Sequence, residues 1–213
     1  MECSDRLYSL LSTVGSNKDS NVLHLIGTHL IDLYNLPYRP YHNISHIEHC
    51  LKELDSYDKN RAVELAIFYH DAIYDPKAKN NEEMCANRAA YDLCVMQVPK
   101  KIIEKIQRLI IVTKHSTYPN ELYQDKLIVD VDLSILGQDE KTYRRYYIEI
   151  REEYSHVSDY GYAKGRIAFL KKLLERPTIY QMDFFIRKYE QAARDNIELE
   201  LKKMHAIKLR DQM

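Results

Sequence analysis

Pro99-Lys-Lys-Ile-Ile-Glu-Lys-Ile-Gln-Arg-Leu-Ile-Ile-Val-Thr-Lys114 places its apolar residues at steps of three and four positions. In an α-helix of about 3.6 residues per turn, residues at these steps lie on one face. The proline stands near the first turn, where a helix does not need an N–H donor. The segment therefore predicts an amphipathic helix whose isoleucine and leucine face packs against a core.

The same spacing recurs along most of the 213 residues, which include only five glycines. Sustained strand-like alternation is absent. The best strand candidate, residues 126–130 (KLIVD), could as easily open a helix. We therefore expect an all-α protein. The expected helices are 4–14, 20–34, 44–57, 60–74, 81–96, 99–114, 121–136, 139–156, 161–175 and 180–206.

Positive and negative side chains nearly cancel, with 31 lysines and arginines against 32 aspartates and glutamates. No long run of one sign predicts a surface for DNA or RNA, so we expect no nucleic-acid partner. A small anionic substrate is compatible with this balance, because it needs only a local positive site.

The four cysteines lack CxxC spacing and the density of a disulfide scaffold. We expect free thiols, with Cys50 and Cys85 in the interior. Glu2, Asp5 and Arg6 stand where a signal peptide would be apolar, and the longest apolar runs are far too short to cross a bilayer. The expected protein is cytoplasmic and makes no membrane contact.

The sharpest local feature is Phe68-Tyr-His-Asp-Ala-Ile-Tyr-Asp75, where His70 and Asp71 stand together at the polar end of an otherwise apolar helix. A metal ion beside the helix can take both side chains, because a histidine and an aspartate differ in reach and direction. Alone, such a pair is more often a hydrogen-bonded histidine followed by an aspartate at the helix end. Whether the His70-Asp71 pair binds a metal ion therefore depends on what other segments of the chain supply.

Two further segments supply side chains that could bind the same metal ion. Tyr41-His-Asn-Ile-Ser-His-Ile-Glu-His-Cys50 carries three histidines, and in Ile128-Val-Asp-Val-Asp-Leu-Ser-Ile-Leu-Gly137 two aspartates interrupt an apolar stretch. A buried carboxylate needs a cation, a hydrogen-bond network or water, because burial without a partner is costly. Imidazoles and carboxylates together form a donor set suited to Mn, Mg, Fe, Zn, Co or Ni, and not to a metal selected by thiolates.

The order His46, His70-Asp71, Asp132 resembles the H…HD…D signature of the HD superfamily of metal-dependent phosphohydrolases. The segments RPYHNISHI, AIFYHDAIYDP, NNEEMCANRA, VDVDLSILG and ARDNIELEL also resemble a bacterial subgroup of predicted phosphohydrolases in that superfamily. The resemblance covers nearly the whole chain. It implies that His46, His70, Asp71 and Asp132 bind one or two divalent metal ions, with Asp130 as the alternative to Asp132.

The resemblance also implies a helical bundle of the HD type with additional C-terminal helices. A single domain would span residues 1–213, with a metal-site core at about 40–137 and peripheral helices at 1–39 and 138–213. The last predicted helix is long and charged. We expect it to cap the domain, with a homodimer contact as the alternative.

His42 is expected to face the substrate, with metal ligation as the alternative. Asp75, which the predicted helix places one turn after Asp71, is a candidate catalytic residue. It resembles an acidic residue that helps to position water in the branch hydrolysing guanosine tetraphosphate alarmones. That branch carries a glutamate one position earlier, where this chain has Tyr74, and the departure weakens an alarmone assignment.

Three residues from other segments complete the expected site. His115 is a candidate to bind a second metal ion or to protonate the leaving oxygen, and its alternative is a surface histidine at a helix C-terminus. The resemblance implies that Glu82 or Glu83 approaches the metal site, and Glu83 is the one expected to bind the substrate. The alternative is that acids in a first helical turn only offset the helix dipole. Arg166 is expected to hold a phosphate through two oxygens, with an ion pair inside the protein as the alternative.

These expectations describe a metal-dependent phosphohydrolase in which a metal-activated water attacks a phosphate ester of a nucleotide or another small anionic substrate. A metal-binding regulatory module without turnover is the first alternative. A di-iron oxygenase is a more distant one, because such HD-fold proteins carry additional histidine ligands, for which His42 and His115 are candidates. A purely structural helical protein would leave the histidines and aspartates in apolar helices unexplained.

Overall fold

Ten α-helices and one short 3-10 helix run through residues 2–210, the residues that the computed structural model describes. No strand occurs in this range, so the all-α prediction is confirmed, and the strand candidate lies inside a helix. None of the helices in this range is both long and apolar enough to cross a membrane. The helices are α1 (Cys3–Val14), α2 (Ser20–Tyr34), α3 (Ile44–Asp55), α4 (Arg61–Tyr69), α5 (Asn81–Val95), α6 (Lys100–Val112), α7 (Tyr123–Leu133), the 3-10 helix (Ser134–Gly137), α8 (Glu140–Glu153), α9 (Asp159–Leu174) and α10 (Asp183–Arg210).

Polar side chains in front of several helices determine where those helices begin. Each accepts a hydrogen bond from a backbone N–H group in the first turn, where no helical partner exists. The observed starts of α2 and α3 coincide with the predicted ones. The capping residues are Asp19 for α2, Asn43 for α3, Asn60 for α4, Asp139 for α8 and Ser158 for α9.

The chain forms two compact units, the first ending at Val131 and the second beginning at Asp132. In the first unit α4 is the central helix, since α1, α3, α5 and α6 all pack against it. Its side chains from Leu65 to Tyr69 are all buried, as expected for a helix that is apolar on every side. The boundary falls inside the predicted metal-site core, and the single domain stays a prediction.

The helix α4 ends at Tyr69, and the predicted end at residue 74 was wrong. The reason is a side chain that competes with the backbone. His70 Nδ1 bonds the carbonyl oxygen of Ile67 at 2.8 Å, and that oxygen is the acceptor that the Asp71 N–H group would use in a continued helix. The chain therefore turns at His70 and Asp71.

In the second unit, α10 packs against α9 and the 3-10 helix, and α8 also packs on the 3-10 helix. The Asn196 amide of α10 donates to the carbonyl oxygens of Leu136 and Gln138. Between those residues lies Gly137, where an added Cβ atom would come within 2.5 Å of the Tyr189 Cβ atom. This close approach requires a residue without a side chain.

We therefore expect Gly137→Ala to lower the free energy of unfolding by about 1–3 kcal/mol, because the new methyl group has no room. The matched control is Gly165→Ala in α9, where an added Cβ atom meets nothing within 4 Å. That change should raise the free energy of unfolding by about 0.5–1 kcal/mol through higher helix propensity. Urea denaturation followed by circular dichroism measures both, and equal effects would contradict the packing argument.

Candidate metal centre

The position of His46 in the first turn of α3 follows from the residues just before it. Asn43 caps the helix through its side-chain oxygen, which accepts from the Ser45 N–H group. The amide nitrogen of Asn43 donates to the carbonyl oxygens of Arg39 and Pro40, and so ties the connector to the helix start. His46 itself is only 4% exposed, which places its imidazole inside the first unit.

His70 and Asp71 lie in the turn that follows α4. The His70 ring donates from Nδ1 to the carbonyl oxygen of Ile67, because a carbonyl oxygen only accepts. The neutral ring then carries its lone pair on Nε2. That nitrogen faces His46 and Asp71, so in the neutral ring Nε2 is the atom that could bind a metal ion.

Three donor atoms converge in the first unit. His46 Nε2 lies 3.1 Å from His70 Nε2 and 3.4 Å from Asp71 Oδ2, and His70 Nε2 lies 3.0 Å from that same oxygen. Ligand atoms about 2.1 Å from one cation are about 3.0 Å apart at a right angle and about 3.4 Å apart at a tetrahedral angle. The three atoms, which we call the three-donor group, are spaced so that they could hold one metal ion.

The Asp71 carboxyl group is held in its charged form. Burial alone would raise its pKa, but the side chains of His70, His42 and His46 outweigh burial and hold the pKa well below its usual range. The Asp71 carboxylate therefore carries a negative charge at neutral pH and lies beside the two imidazole rings of the three-donor group.

Both cysteines that were predicted to be interior are buried, so that prediction is confirmed. Cys50 lies one turn after His46 on α3, with its sulfur 3.8 Å from each ring nitrogen. Burial raises the pKa of the Cys85 thiol to about 12, and this thiol exchanges hydrogen bonds with the backbone of Ile73. Cys85 is therefore an uncharged packing residue beside the turn of Asp71.

His42 lies beside the three-donor group without being part of it. Its ring stacks on Tyr74 with 4.1 Å between ring centres, and its centre is 5.8 Å from that of His46. The ring is half-buried. This place, at the edge of the group, is compatible with the predicted contact to substrate, which stays a prediction.

The two aspartates of the third motif lie on α7, at the boundary between the units. Asp130 is fully buried in the first unit, and Asp132 is half-buried as the first residue of the second unit. Asp132 as the fourth ligand, with Asp130 as its alternative, stays a prediction.

Asp75 is exposed and closes the loop that leads to α5. Its carboxylate accepts from the Lys77 N–H group, and its backbone exchanges two hydrogen bonds with the Asn81 side chain. Because α4 ends before it, Asp75 does not lie one helical turn after Asp71, and that part of the prediction was wrong. Its role in positioning water stays a prediction.

Glu83 and His115 are both placed by the end of α6. Lys114 pairs with Glu83 at 2.6 Å and also donates to the carbonyl oxygen of Lys79. This ion pair holds the pKa of Glu83 below its usual range. His115 follows with a φ of 52°, in the left-handed region, and is half-buried. Neither residue belongs to the three-donor group, and their expected catalytic and substrate contacts stay predictions.

Arg166 is buried in the second unit, where it makes an intramolecular ion pair. Its Nε donates to Glu200 at 2.7 Å, and its Nη2 donates to Glu200 and to the hydroxyl oxygen of Tyr146. Glu200 also accepts from the Tyr143 hydroxyl. The ion pair with Glu200 is the alternative that the sequence analysis gave for Arg166. Its contact with a phosphate stays a prediction.

Sequence reasoning missed Arg39, which bonds the backbone of the turn that carries Asp71. The available signal was a charged residue between two prolines, in the connector directly before the histidine-rich segment. That signal does not reveal burial, because arginines in connectors are usually exposed. Arg39 is only 4% exposed.

Comparison of the chain with protein-family models, with curated proteins and with solved structures finds no match. Membership of the HD superfamily therefore stays a proposal.

Proposed function

We propose that the chain is a metal-dependent phosphohydrolase of the HD type that acts on a phosphate ester of a nucleotide or another small anionic substrate. The observation that carries the proposal is the three-donor group. Its two imidazole nitrogens and one carboxylate oxygen lie within 3.4 Å of one another. In this proposal Asp132 of α7 supplies a fourth ligand.

The chemistry of the donor set fits a divalent cation. Imidazole nitrogen and carboxylate oxygen are ligands that Mn, Fe, Zn, Co and Ni share. The second nitrogen of His70 donates to a backbone carbonyl, which is the usual outer partner that orients a metal-binding histidine. Three or four protein ligands leave positions for water and for a phosphate oxygen.

The chain's own residues prepare this site for phosphate ester hydrolysis. The chemistry that a bound divalent cation supplies is the activation of water near neutral pH and the withdrawal of charge from phosphoryl oxygens. His46 and His70 provide nitrogen donors in fixed positions, and the Asp71 carboxylate provides negative charge. Burial of both histidines limits the access of bulk water.

The remaining roles are assigned to side chains at the edge of the three-donor group and beyond it. His42 is the proposed contact to substrate, because its stacked ring lies next to His46. Asp75 and His115 are proposed catalytic residues, for positioning water and for protonating the leaving oxygen. Glu83 and Arg166 are proposed substrate contacts.

The test uses protein purified without chelator. Metal analysis should find about one or two divalent ions per chain. Removal of the metal by chelation should abolish phosphate release from a panel of nucleotides and phosphomonoesters, and added Mn²⁺ should restore it. Metal bound without release from any substrate would favour the regulatory module, and absence of metal binding would overturn the proposal.

One observation favours a second candidate. Two histidines and one carboxylate also form the ligand set of non-haem iron oxygenases. Protein reconstituted with Fe²⁺ would then consume oxygen in the presence of an organic substrate and release no phosphate. Oxygen electrode and phosphate measurements on the same sample distinguish the two functions.

A further inference from the structure

Arg39 is a buried arginine in the connector between α2 and α3. The centre of its guanidinium lies 5.5 Å from the ring centre of Tyr34 and 5.9 Å from that of Tyr74. Tyr34 is itself fixed, because its hydroxyl donates to the carbonyl oxygen of Phe68 at 3.0 Å. The guanidinium is therefore held between the end of α2 and the chain that follows α4.

The hydrogen bonds of Arg39 connect the two segments that carry the metal donors. Nη1 donates to the carbonyl oxygen of Asp71 at 2.6 Å and to that of His42 at 3.2 Å, and Nη2 donates to the carbonyl oxygen of Ala72 at 2.8 Å. All three acceptors are backbone oxygens. One side chain therefore ties the turn of Asp71 to the segment that leads into α3 and His46.

The local backbone needs such a donor because α4 ends before Asp71. Carbonyl groups beyond the end of a helix have no helical N–H partner, and buried ones must find a donor elsewhere. An arginine presents its N–H groups in a planar fork, so it bonds two adjacent carbonyl oxygens at once, as it does at Asp71 and Ala72. A lysine ammonium group does not reproduce this geometry.

We propose that Arg39 is a positioning residue that sets the metal affinity of the three-donor group, an inference that rests on the proposed metal site. Arg39 acts through Asp71 and His46 and is not itself a ligand. Its three bonds hold the Asp71 turn and the start of α3 at one separation, and thereby keep the donor atoms of the two segments around a common centre. Without the guanidinium the two segments are free to move apart.

The test measures Mn²⁺ affinity by titration, with free Mn²⁺ detected by electron paramagnetic resonance. We expect Arg39→Met to weaken Mn²⁺ binding by about 10–100-fold, the usual effect of losing an outer partner of a metal site. Arg39→Lys, which keeps the charge and loses the fork, should bind with intermediate affinity. Circular dichroism confirms that each variant is folded, and Arg39→Lys keeps the test decisive if Arg39→Met does not fold.

The matched control is Arg6→Met. Arg6 is a half-buried arginine of the first unit, and it pairs with the carboxylates of Asp55 and Glu64 and not with backbone carbonyls. We expect Arg6→Met to lower thermal stability and to leave Mn²⁺ affinity unchanged. Parental affinity in both Arg39 variants, or equal weakening in Arg6→Met, would overturn the role of Arg39. A parent that binds Mn²⁺ without hydrolysing phosphate esters would overturn the proposed reaction alone, and a parent that binds no Mn²⁺ would overturn both.

Discussion

Asp71→Ala is expected to reduce bound divalent metal from about one ion per chain to almost none. The reason is that Asp71 supplies the only charged atom of the three-donor group, and its oxygen lies 3.0 Å and 3.4 Å from the two imidazole nitrogens. The two remaining nitrogens hold a cation weakly because nothing in the group offsets its charge. Metal analysis after dialysis gives the result, and phosphate release should fall to background in parallel.

The same substitution at Asp58 is the control. Asp58 belongs to the first unit, and its carboxylate accepts from the Tyr123 hydroxyl at 3.1 Å. Asp58→Ala should keep the parental metal content, and both variants should keep the helical circular dichroism spectrum. Parental metal content in Asp71→Ala would contradict the assignment of the three-donor group as a metal site.

Arg166→Met is expected to lower the free energy of unfolding by about 3–5 kcal/mol, because it leaves the Glu200 carboxylate buried without its cation. Glu200 is 1% exposed and would keep only the Tyr143 hydroxyl among the partners described above. Urea denaturation measures the loss. The control is Arg145→Met, which removes an exposed partner of Glu149 on α8 and should cost about 0.5 kcal/mol or less.

Replacing both members of the buried pair distinguishes stability from substrate contact. Arg166→Met/Glu200→Leu should recover much of the lost stability, because no uncompensated charge remains in the interior. If this double variant is folded and releases phosphate at the parental rate, Arg166 is a structural residue and its predicted phosphate contact is wrong. A folded double variant with a raised KM for the phosphate ester would support that contact.

The helices were predictable because their signal is local. The apolar faces of α2 and α6 are each read from about a dozen neighbouring residues. The observed bounds of α2 equal the predicted ones, and α6 lies inside its predicted range. The end of α4 was not predictable in this way. His70 stops the helix because its side chain bonds the carbonyl oxygen of Ile67. The spacing of apolar residues does not indicate whether a histidine in an apolar helix makes such a bond.

The residues of the candidate site were likewise predictable only where their signal lies in short segments of the sequence. The motifs pointed to His46, His70 and Asp71, and the structure brings these three side chains together. Arg166 shows the opposite case: its residue type fits a phosphate, but its ion pair depends on Glu200, which is far along the chain on another helix. A single sequence does not indicate which acidic partner an arginine has.

The sequence by itself determined that this protein is all-α and which residue types could serve as metal donors, because helix periodicity and donor chemistry belong to short segments. Only the tertiary structure decided that His46 Nε2 comes within 3.1 Å of His70 Nε2 and that Arg39 ties their segments together. The physical reason is that these atoms are separated along the chain, and their distances are set by the packing of α3 on α4 and by bonds from a buried guanidinium.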